Sequence, residues 1–220
     1  MTKPLSSPLL LASTSPRRRE LLALLGVPFD VVEPQFEERL VPGLSPAELV
    51  KDFAAGKARS CAERHPEAWV LGSDTVIVVD DVVLGKPADG ADAERMLRLL
   101  RGREHRILTA VALHRRADGR DETGVAAVRV WMKPFTEAEL AAYLRTGESL
   151  GKAGAYSIQG EGGRLIARIE GDFTAAVGLP LKLTAELLAK VGVSVPVDVE
   201  TLYREKPYPN WTTFTSAGSG

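Results

Sequence analysis

The sequence predicts a mixed α/β fold, a twisted sheet with flanking helices. Strand and helix patterns alternate early in the chain, strand patterns predominate in the middle, and no internal repeat or low-complexity linker is present. Hydrophobic residues make up 45% of the 220 residues, which is enough to bury a sizeable core in one large domain or two small lobes.

Strands are predicted where β-branched and apolar residues run between turn signals. Residues 69–79 are too β-branched and too evenly apolar for a surface helix, so they are predicted as a central strand that turns at residues 80–81 into a hairpin. The polar residues 116–122 are predicted as the turn between two later strands. The predicted strands are residues 8–12, 29–32, 69–79, 82–84, 106–114, 125–132 and 165–169.

Helices are predicted from capping signals and from apolar residues at helical spacing. Ser45 with Glu48, and Thr136 with Glu139, have the spacing of a capping box, in which side chain and backbone bond reciprocally at a helix start. Residues 151–163, the glycine loop, cannot form a regular element and are predicted as a shaped loop. The predicted helices begin at or just after Ser15, Ser45, Ala91, Thr136 and Pro180.

Composition excludes several classes of protein. Lys and Arg number 28 against 29 Asp and Glu, so no global basic field exists to hold a nucleic acid polymer. No apolar run reaches the length of a membrane span and no secretion signal is present, and the single cysteine, Cys61, fits a reducing cytoplasm. Zinc-type histidine spacing, a nucleophile elbow and a P-loop pattern are all missing, and His105 is predicted to have a structural role.

The first predicted helix start is a candidate phosphate site. Ser13 and Ser15 supply hydroxyls there, and Arg17 and Arg18 supply cations. Cations in the first helical turn oppose the positive end of the helix dipole, at about 0.3–1 kcal/mol each, so an anion such as phosphate would compensate them. The alternative is an ordinary capped helix with solvated arginines.

Asp74 and Lys57 are charged residues in apolar surroundings. An ionised Asp74 inside the central strand has a desolvation cost that a partner, a metal or a function would offset. The alternative is a strand-end Asp capped by Ser73 or Thr75. Lys57 lies on the apolar face of its helix and could reach across a cleft, although taken alone it is better explained by snorkelling to solvent.

Two further positions could complete such a site. Lys86, between a glycine and a proline, lies on a short stiff segment that would present its ammonium at a fixed position. Glu37 or Glu38, with Asp74, could supply the hard oxygen ligands that Mg²⁺ or Mn²⁺ prefers, but their spacing does not show that they meet.

A series of short motifs stands in a fixed order along the chain: LASTSPRRRELL at 11–22, Glu38, Lys57-Ala58, Gly72-Ser73-Asp74-Thr75, Gly85-Lys86-Pro87, His105-Arg-Ile-Leu-Thr109, GKAGAYSIQG at 151–160 and Val177-Gly-Leu-Pro-Leu181. In this order the motifs resemble the Maf family from about Leu9 to Val191. Several separate motifs in the right order are far more specific than any one of them.

The resemblance implies a cleft between two lobes, similar to inosine triphosphate pyrophosphatases, and a homodimer. It implies one domain over residues 1–195, with residues 196–220 as a C-terminal extension, which we expect to be partly disordered because its end from Trp211 is small and polar. It also implies a nucleoside triphosphate pyrophosphatase with a divalent metal, and the loop ending in Tyr-x-Ile-Gln-Gly resembles the branch that acts on dTTP and UTP. Substrates would then include CTP and modified pyrimidine nucleotides, in a house-cleaning role.

The resemblance also implies roles for single residues. Asp74 matches the proton acceptor of the family, and Arg17, Thr75 and Gln159 match positions associated with substrate choice. We further predict that Lys57 and Lys86 neutralise phosphate oxygens. Glu38 and Asp74 are predicted to hold the metal, and the triphosphate is predicted to be bound by Ser13, Ser15, Arg17 and Arg18.

Two alternatives stay open at this point. Gly151 stands where many members of the branch have Asp and Ser157 where Gly is frequent, which leaves the base preference open. The nearer alternative is a preference for 7-methyl-GTP. A non-enzymatic regulator of cell division or septum formation is the other, from a different class of function.

Overall fold

The computed structural model describes residues 8–215. Its strands are β1 (Leu9–Ala12), β2 (Asp30–Val32), β3 (Trp69–Val79), β4 (Val82–Leu84), β5 (Glu104–Arg115), β6 (Arg120–Met132) and β7 (Ile166–Glu170). Its helices are α1 (Pro16–Ala23), α2 (Pro46–Ala62), α3 (Gly90–Leu100), α4 (Glu137–Arg145), α5 (Phe173–Val177), α6 (Leu181–Lys190), α7 (Val199–Glu205) and α8 (Trp211–Thr215).

The strands form a seven-stranded mixed sheet in the order β2-β1-β3-β5-β6-β7, with β4 paired to β3. β1 is parallel to both β2 and β3, whereas β4 is antiparallel to β3 and β7 is antiparallel to β6. Helices flank this sheet, so the predicted mixed α/β fold is confirmed.

The chain divides into two compact units. The first comprises the described residues up to Asp74, Thr109–Ala126 and Gly178–Pro207, and the second comprises Thr75–Leu108, Ala127–Val177 and the described residues from Tyr208. The strands β3, β5 and β6 each contribute residues to both units. β3 passes from the first unit to the second directly after Asp74.

In the first unit, α2 packs directly against β3. The predicted capping box is present at its start, where Ser45 Oγ accepts from the Glu48 N–H and the Glu48 carboxylate accepts from the Ser45 N–H. A Cβ placed on Gly72 of β3 would lie 2.2 Å from the Ala54 carbonyl oxygen of α2. Only glycine allows this approach, which brings the buried face of α2 onto the strand beside Asp74.

In the second unit, α3 and α4 bury apolar faces and the glycine loop has a defined shape. The residues that α3 buries are Ala93, Met96, Leu97 and Leu100. The second predicted capping box, Thr136 with Glu139, is present at the start of α4. The glycine loop contains the short 3₁₀ turn Ala153–Ala155 and ends within a second one, Glu161–Leu165. It holds no α-helix or strand, as predicted for a shaped loop.

The structure corrects two local expectations. β6 begins at Arg120, inside the stretch predicted as a turn, because contacts of its polar residues hold this start in the sheet. Arg120 lies over the Trp69 ring, distant in the chain, at 5.3 Å, and Asp121 bonds His114 of the neighbouring strand β5 at 2.8 Å. The expected fraying from Trp211 is wrong for the described residues, since Trp211–Thr215 is helical and Trp211 is only 2% exposed. Residues 216–220 lie outside the described residues, and the boundary at 195/196 stays a prediction.

Candidate active site

Lys57 joins two carboxylates in the first unit. Its side chain is 10% exposed, and its Nζ lies 2.6 Å from Glu38 Oε1 and within a short hydrogen bond of Asp74 Oδ1. The ammonium therefore forms ion pairs with both groups and does not snorkel to solvent. Charge-assisted hydrogen bonds of this kind are about twice as strong as neutral ones.

Asp74 is buried on β3, with 5% of the residue exposed. Burial raises the pKa of its carboxyl group, and the negative charge of Glu38 raises it further, while the positive charges of Lys57 and Arg18 oppose the shift. A buried carboxylate whose pKa is raised is better able to accept a proton near neutral pH than an exposed one.

Arg18 lies among these charges and is held by the backbone. Its Nε donates to the Gly178 carbonyl at 3.0 Å, and the same carbonyl accepts from the buried Ser73 hydroxyl at 3.1 Å. Burial lowers the pKa of Arg18 and the charge of Asp74 opposes this, yet the pKa of a guanidinium starts so high that the group stays protonated. Arg18 therefore brings a fixed positive charge into the electrostatic environment of Asp74.

The start of α1 offers donors for an anion. Ser15 occupies the N-cap position before Pro16, as predicted, but its side chain makes no capping hydrogen bond. Its N–H donates to Ser13 Oγ at 3.2 Å, which folds the turn before the helix. The N–H groups of Arg17 and Arg18 lie in the first turn of α1, where helices commonly bind anions, and the described first turn carries no acidic side chain.

The other predicted site residues, Thr75, Lys86 and Gln159, belong to the second unit. Lys86 is exposed, while Thr75 and Gln159 are half-buried. The Gly154 N–H of the glycine loop donates to the Gly85 carbonyl at 3.0 Å, so the segment that carries Lys86 is bonded to the glycine loop.

A buried pair of neutral polar groups connects the glycine loop to β5. His105 is 2% exposed, and its Nε2 bonds the Tyr156 hydroxyl at 2.6 Å. Burial lowers the pKa of His105 to about 4 and raises the pKa of Tyr156, so both groups are neutral at pH 7. This geometry accords with the predicted structural role of His105.

The structure brings Lys57, Asp74 and Glu38 into direct contact, and the charge of Arg18 acts on Asp74. It also distinguishes two neighbouring candidates, since Glu38 pairs with Lys57 whereas Glu37 pairs with the exposed Arg39 at 2.6 Å. The role of the Gly178 carbonyl was not predicted from the sequence. Its signal was the glycine in the Val-Gly-Leu-Pro motif, where φ is +125° and favours glycine.

Comparison with known proteins identifies a family and several similar proteins. A family model described as Maf-like protein matches residues 8–191. The chain is 49% identical over 189 residues to the dTTP/UTP pyrophosphatase of Symbiobacterium thermophilum, covering 85% of this chain and 95% of the relative. It is 48% identical over 185 residues to the dTTP/UTP pyrophosphatase of Vibrio cholerae, covering 84% and 98%.

Among solved structures, the Staphylococcus aureus Ham1 protein is similar with a TM-score of 0.43 at 14% identity, covering 58% of this chain and 73% of that chain. The family match spans most of the described residues, and the ordered motifs of the sequence lie within it. The chain belongs to the Maf family.

Proposed function

We propose that this chain is a nucleoside triphosphate pyrophosphatase that hydrolyses dTTP and UTP, and also CTP and modified pyrimidine nucleotides, to nucleoside monophosphate and pyrophosphate. The observation that carries the proposal is the buried Asp74 carboxylate, bonded to Lys57 and exposed to the charge of Arg18. The relatives named dTTP/UTP pyrophosphatase support the choice of substrate, and their names lend no support to the 7-methyl-GTP or regulator alternatives.

The triphosphate is bound at the start of α1. Its negative charge compensates Arg17 and Arg18 in the first turn, and it accepts hydrogen bonds from the N–H groups there. The hydroxyls of Ser13 and Ser15 flank the same turn and donate to phosphate oxygens. The charge of the triphosphate is thus complementary to this helix start.

Asp74 acts as the general base. Lys57 holds one carboxylate oxygen, Oδ1, and the carboxylate takes a proton from a water molecule as the water oxygen bonds to the α-phosphorus. The bond between the α-phosphorus and the bridging oxygen breaks, and the electron pair leaves on pyrophosphate. Lys57, Arg18 and Lys86 stabilise the charge that develops on the phosphate oxygens.

Glu38 and Asp74 fit part of a divalent metal site. Both supply hard carboxylate oxygens, and Mg²⁺ is commonly bound by one or two carboxylates together with substrate phosphates. Within residues 8–215, no group of three or more His, Cys, Asp or Glu side chains could hold a metal ion. The two carboxylates would therefore hold Mg²⁺ or Mn²⁺ together with the substrate, and the cation would neutralise phosphate oxygens when bound.

In this proposal the base is recognised by Gln159, which belongs to the second unit. Gln159 has an amide that can both donate to and accept from a pyrimidine edge, and its place in the glycine loop supports this assignment. Thr75, which follows the general base directly on β3, and Arg17, at the start of α1, are the other two positions assigned to substrate choice.

The homodimer and the cytoplasmic location stay predictions. Within residues 8–215, every helix is too short or too polar to cross a membrane. Analytical ultracentrifugation of the purified chain tests the homodimer, and fractionation of the source cells tests the location.

Hydrolysis in water labelled with oxygen-18 tests the proposed reaction. We expect dTTP and UTP to give pyrophosphate and a nucleoside monophosphate that carries one labelled oxygen, because the water attacks the α-phosphorus. The label is read by mass spectrometry of both products. Label in pyrophosphate would show attack at the β-phosphorus, release of orthophosphate would show a phosphatase, and no turnover of any triphosphate would remove the enzyme proposal.

A further inference from the structure

The segment Tyr208–Phe214, which we call the C-terminal brace, packs into the second unit. The Trp211 ring stacks on Phe173 with a centroid separation of 5.8 Å and an interplanar angle of 18°. The Phe214 ring centroid lies 6.4 Å from that of the same phenylalanine, and Tyr208 is only 6% exposed. The family match ends at residue 191, so the whole brace lies beyond it.

Asn210 of the brace bonds the glycine loop on both sides of Gln159. Its Nδ2 donates to the Gln159 carbonyl at 3.2 Å and lies 3.5 Å from the Ile158 carbonyl, which makes the first bond the stronger. These two carbonyls belong to the two peptide planes that flank the Gln159 Cα. Because peptide planes are rigid, holding both of them sets the direction in which the Gln159 side chain leaves the backbone.

The backbone conformation of Asn210 suits its contacts with the glycine loop. Its φ is +63°, in the left-handed region that asparagine adopts more readily than most residues with a Cβ. The stacking of Trp211 directly after it keeps this turn against the core. The brace therefore presents an amide donor at a position that is fixed by buried aromatic contacts.

The other side of the loop is held by Glu148. Its carboxylate accepts from the N–H of Gly162 at 2.8 Å and from the N–H of Glu161 at 3.2 Å. A Cβ on Gly160 would lie 1.5 Å from Glu148 Oε1, so the loop backbone passes directly over the carboxylate. Asn210 therefore holds the backbone at Ile158 and Gln159, and Glu148 holds the backbone that follows them.

We propose that the C-terminal brace positions Gln159 and so sets the base selectivity of the enzyme, with Asn210 as a positioning residue. The proposal rests on the proposed function, because the residue it positions is the one assigned to the base. It gives the residues beyond the family match a task in substrate choice.

The test compares Asn210→Gly and Asn210→Asp with wild type. Glycine keeps the left-handed backbone and removes the amide, and aspartate keeps the shape and removes the donor. Thr213→Ala, at an exposed position of α8, is the matched control. The measurements are kcat and KM for UTP, dTTP, GTP and ATP, hydrogen exchange of residues 156–163, and the thermal midpoint.

For both Asn210 variants we expect KM for UTP and dTTP to rise about fivefold, as for a lost hydrogen bond, with kcat within twofold. The pyrimidine over purine preference falls by the same factor, the loop amides exchange faster, and Thr213→Ala changes none of these. Unchanged selectivity in both variants would overturn the inference, with or without faster exchange. So would an equal loss of kcat on every nucleotide, which would indicate a general structural role.

The outcome separates the two proposals. If wild type hydrolyses no triphosphate, the proposed function fails. Hydrogen exchange then still decides whether Asn210 holds the loop, and unchanged exchange would overturn the bracing. If wild type prefers pyrimidines and the Asn210 variants keep that preference, only the inference fails.

Discussion

The two units of this protein differ in the charge of one buried polar cluster in each, which is ionised in the first unit and neutral in the second. In the first unit, Lys57, Asp74 and Glu38 are placed as a charged cluster, with the half-buried Arg18 held by a backbone carbonyl nearby. In the second unit, His105 and Tyr156 form a buried pair that is neutral at pH 7. The charged groups belong to the unit where we propose that the triphosphate binds and a proton is transferred. The neutral pair belongs to the unit whose glycine loop keeps a fixed shape.

In the proposed function, phosphate binding and discrimination among bases therefore depend on different groups of residues. A charged cluster acts on the phosphate groups that all nucleoside triphosphates share, so by itself it gives little discrimination among bases. A loop held by Glu148 and Asn210 through its backbone can discriminate by shape and hydrogen bonding. Loss of a charge from the cluster of Lys57, Asp74 and Glu38 should therefore affect all substrates alike, and loosening of the loop should affect some more than others.

The largest expected effect is that of Lys57→Met. Methionine fills a similar volume but leaves Asp74 and Glu38 without their shared counter-charge, and breaking a buried ion pair from one side costs about 3–5 kcal/mol. We expect the free energy of unfolding in urea to fall by about that amount and pyrophosphate release to fall to background.

Lys51→Met is the matched control, because Lys51 is exposed on the same helix. It should change neither quantity. If Lys57→Met were as stable as wild type at pH 7, the buried cluster would not be the charged arrangement described for the first unit.

A smaller effect is expected from His105 in the second unit. Because its pKa is lowered from 6.5 to about 4, the unfolded chain binds the proton more readily than the folded one. The contribution of His105 to stability is then full above pH 6.5 and is lost as the pH falls from 6.5 towards 4, by about 3 kcal/mol.

Urea unfolding of wild type and His105→Gln across this pH range measures the contribution. Glutamine does not titrate, so the wild-type free energy of unfolding should fall about 3 kcal/mol further than that of the variant. Asp74, whose pKa is raised, contributes stability at acid pH and loses it as the pH rises, but it does so in both proteins and cancels in the difference. Parallel curves would show that His105 does not titrate abnormally.

Local signals predicted much of the fold. The two capping boxes depend on residues three positions apart, so the starts of α2 and α4 could be read directly from the sequence. The start of β6 could not, because its polar residues are held by partners such as Trp69, far away in the chain. The packing of the polar segment at Trp211 could not be predicted either, because it depends on the stacking of Trp211 on Phe173, which is distant in the chain.

The candidate site was predictable in its residue types and less so in its contacts. Asp74 stood out because a charge in an apolar strand has a cost, and the sequence motifs named its neighbours. Spacing could not decide between Glu37 and Glu38, since only folding shows which carboxylate meets Lys57. The Gly178 carbonyl accepts hydrogen bonds from both Arg18 and Ser73. Because it is a backbone group, the glycine itself is its only sign in the sequence.

Asp74 accepts the proton in the proposed reaction, and the turnover of Asp74→Asn is the sharpest test of this role. Asparagine keeps the shape and an oxygen that can accept from Lys57, but it cannot take a proton at neutral pH. We expect turnover of dTTP and UTP to fall by about 10²–10⁴, with Asp52→Asn, an exposed carboxylate on α2, unchanged. Turnover of Asp74→Asn within a few-fold of wild type would contradict the account.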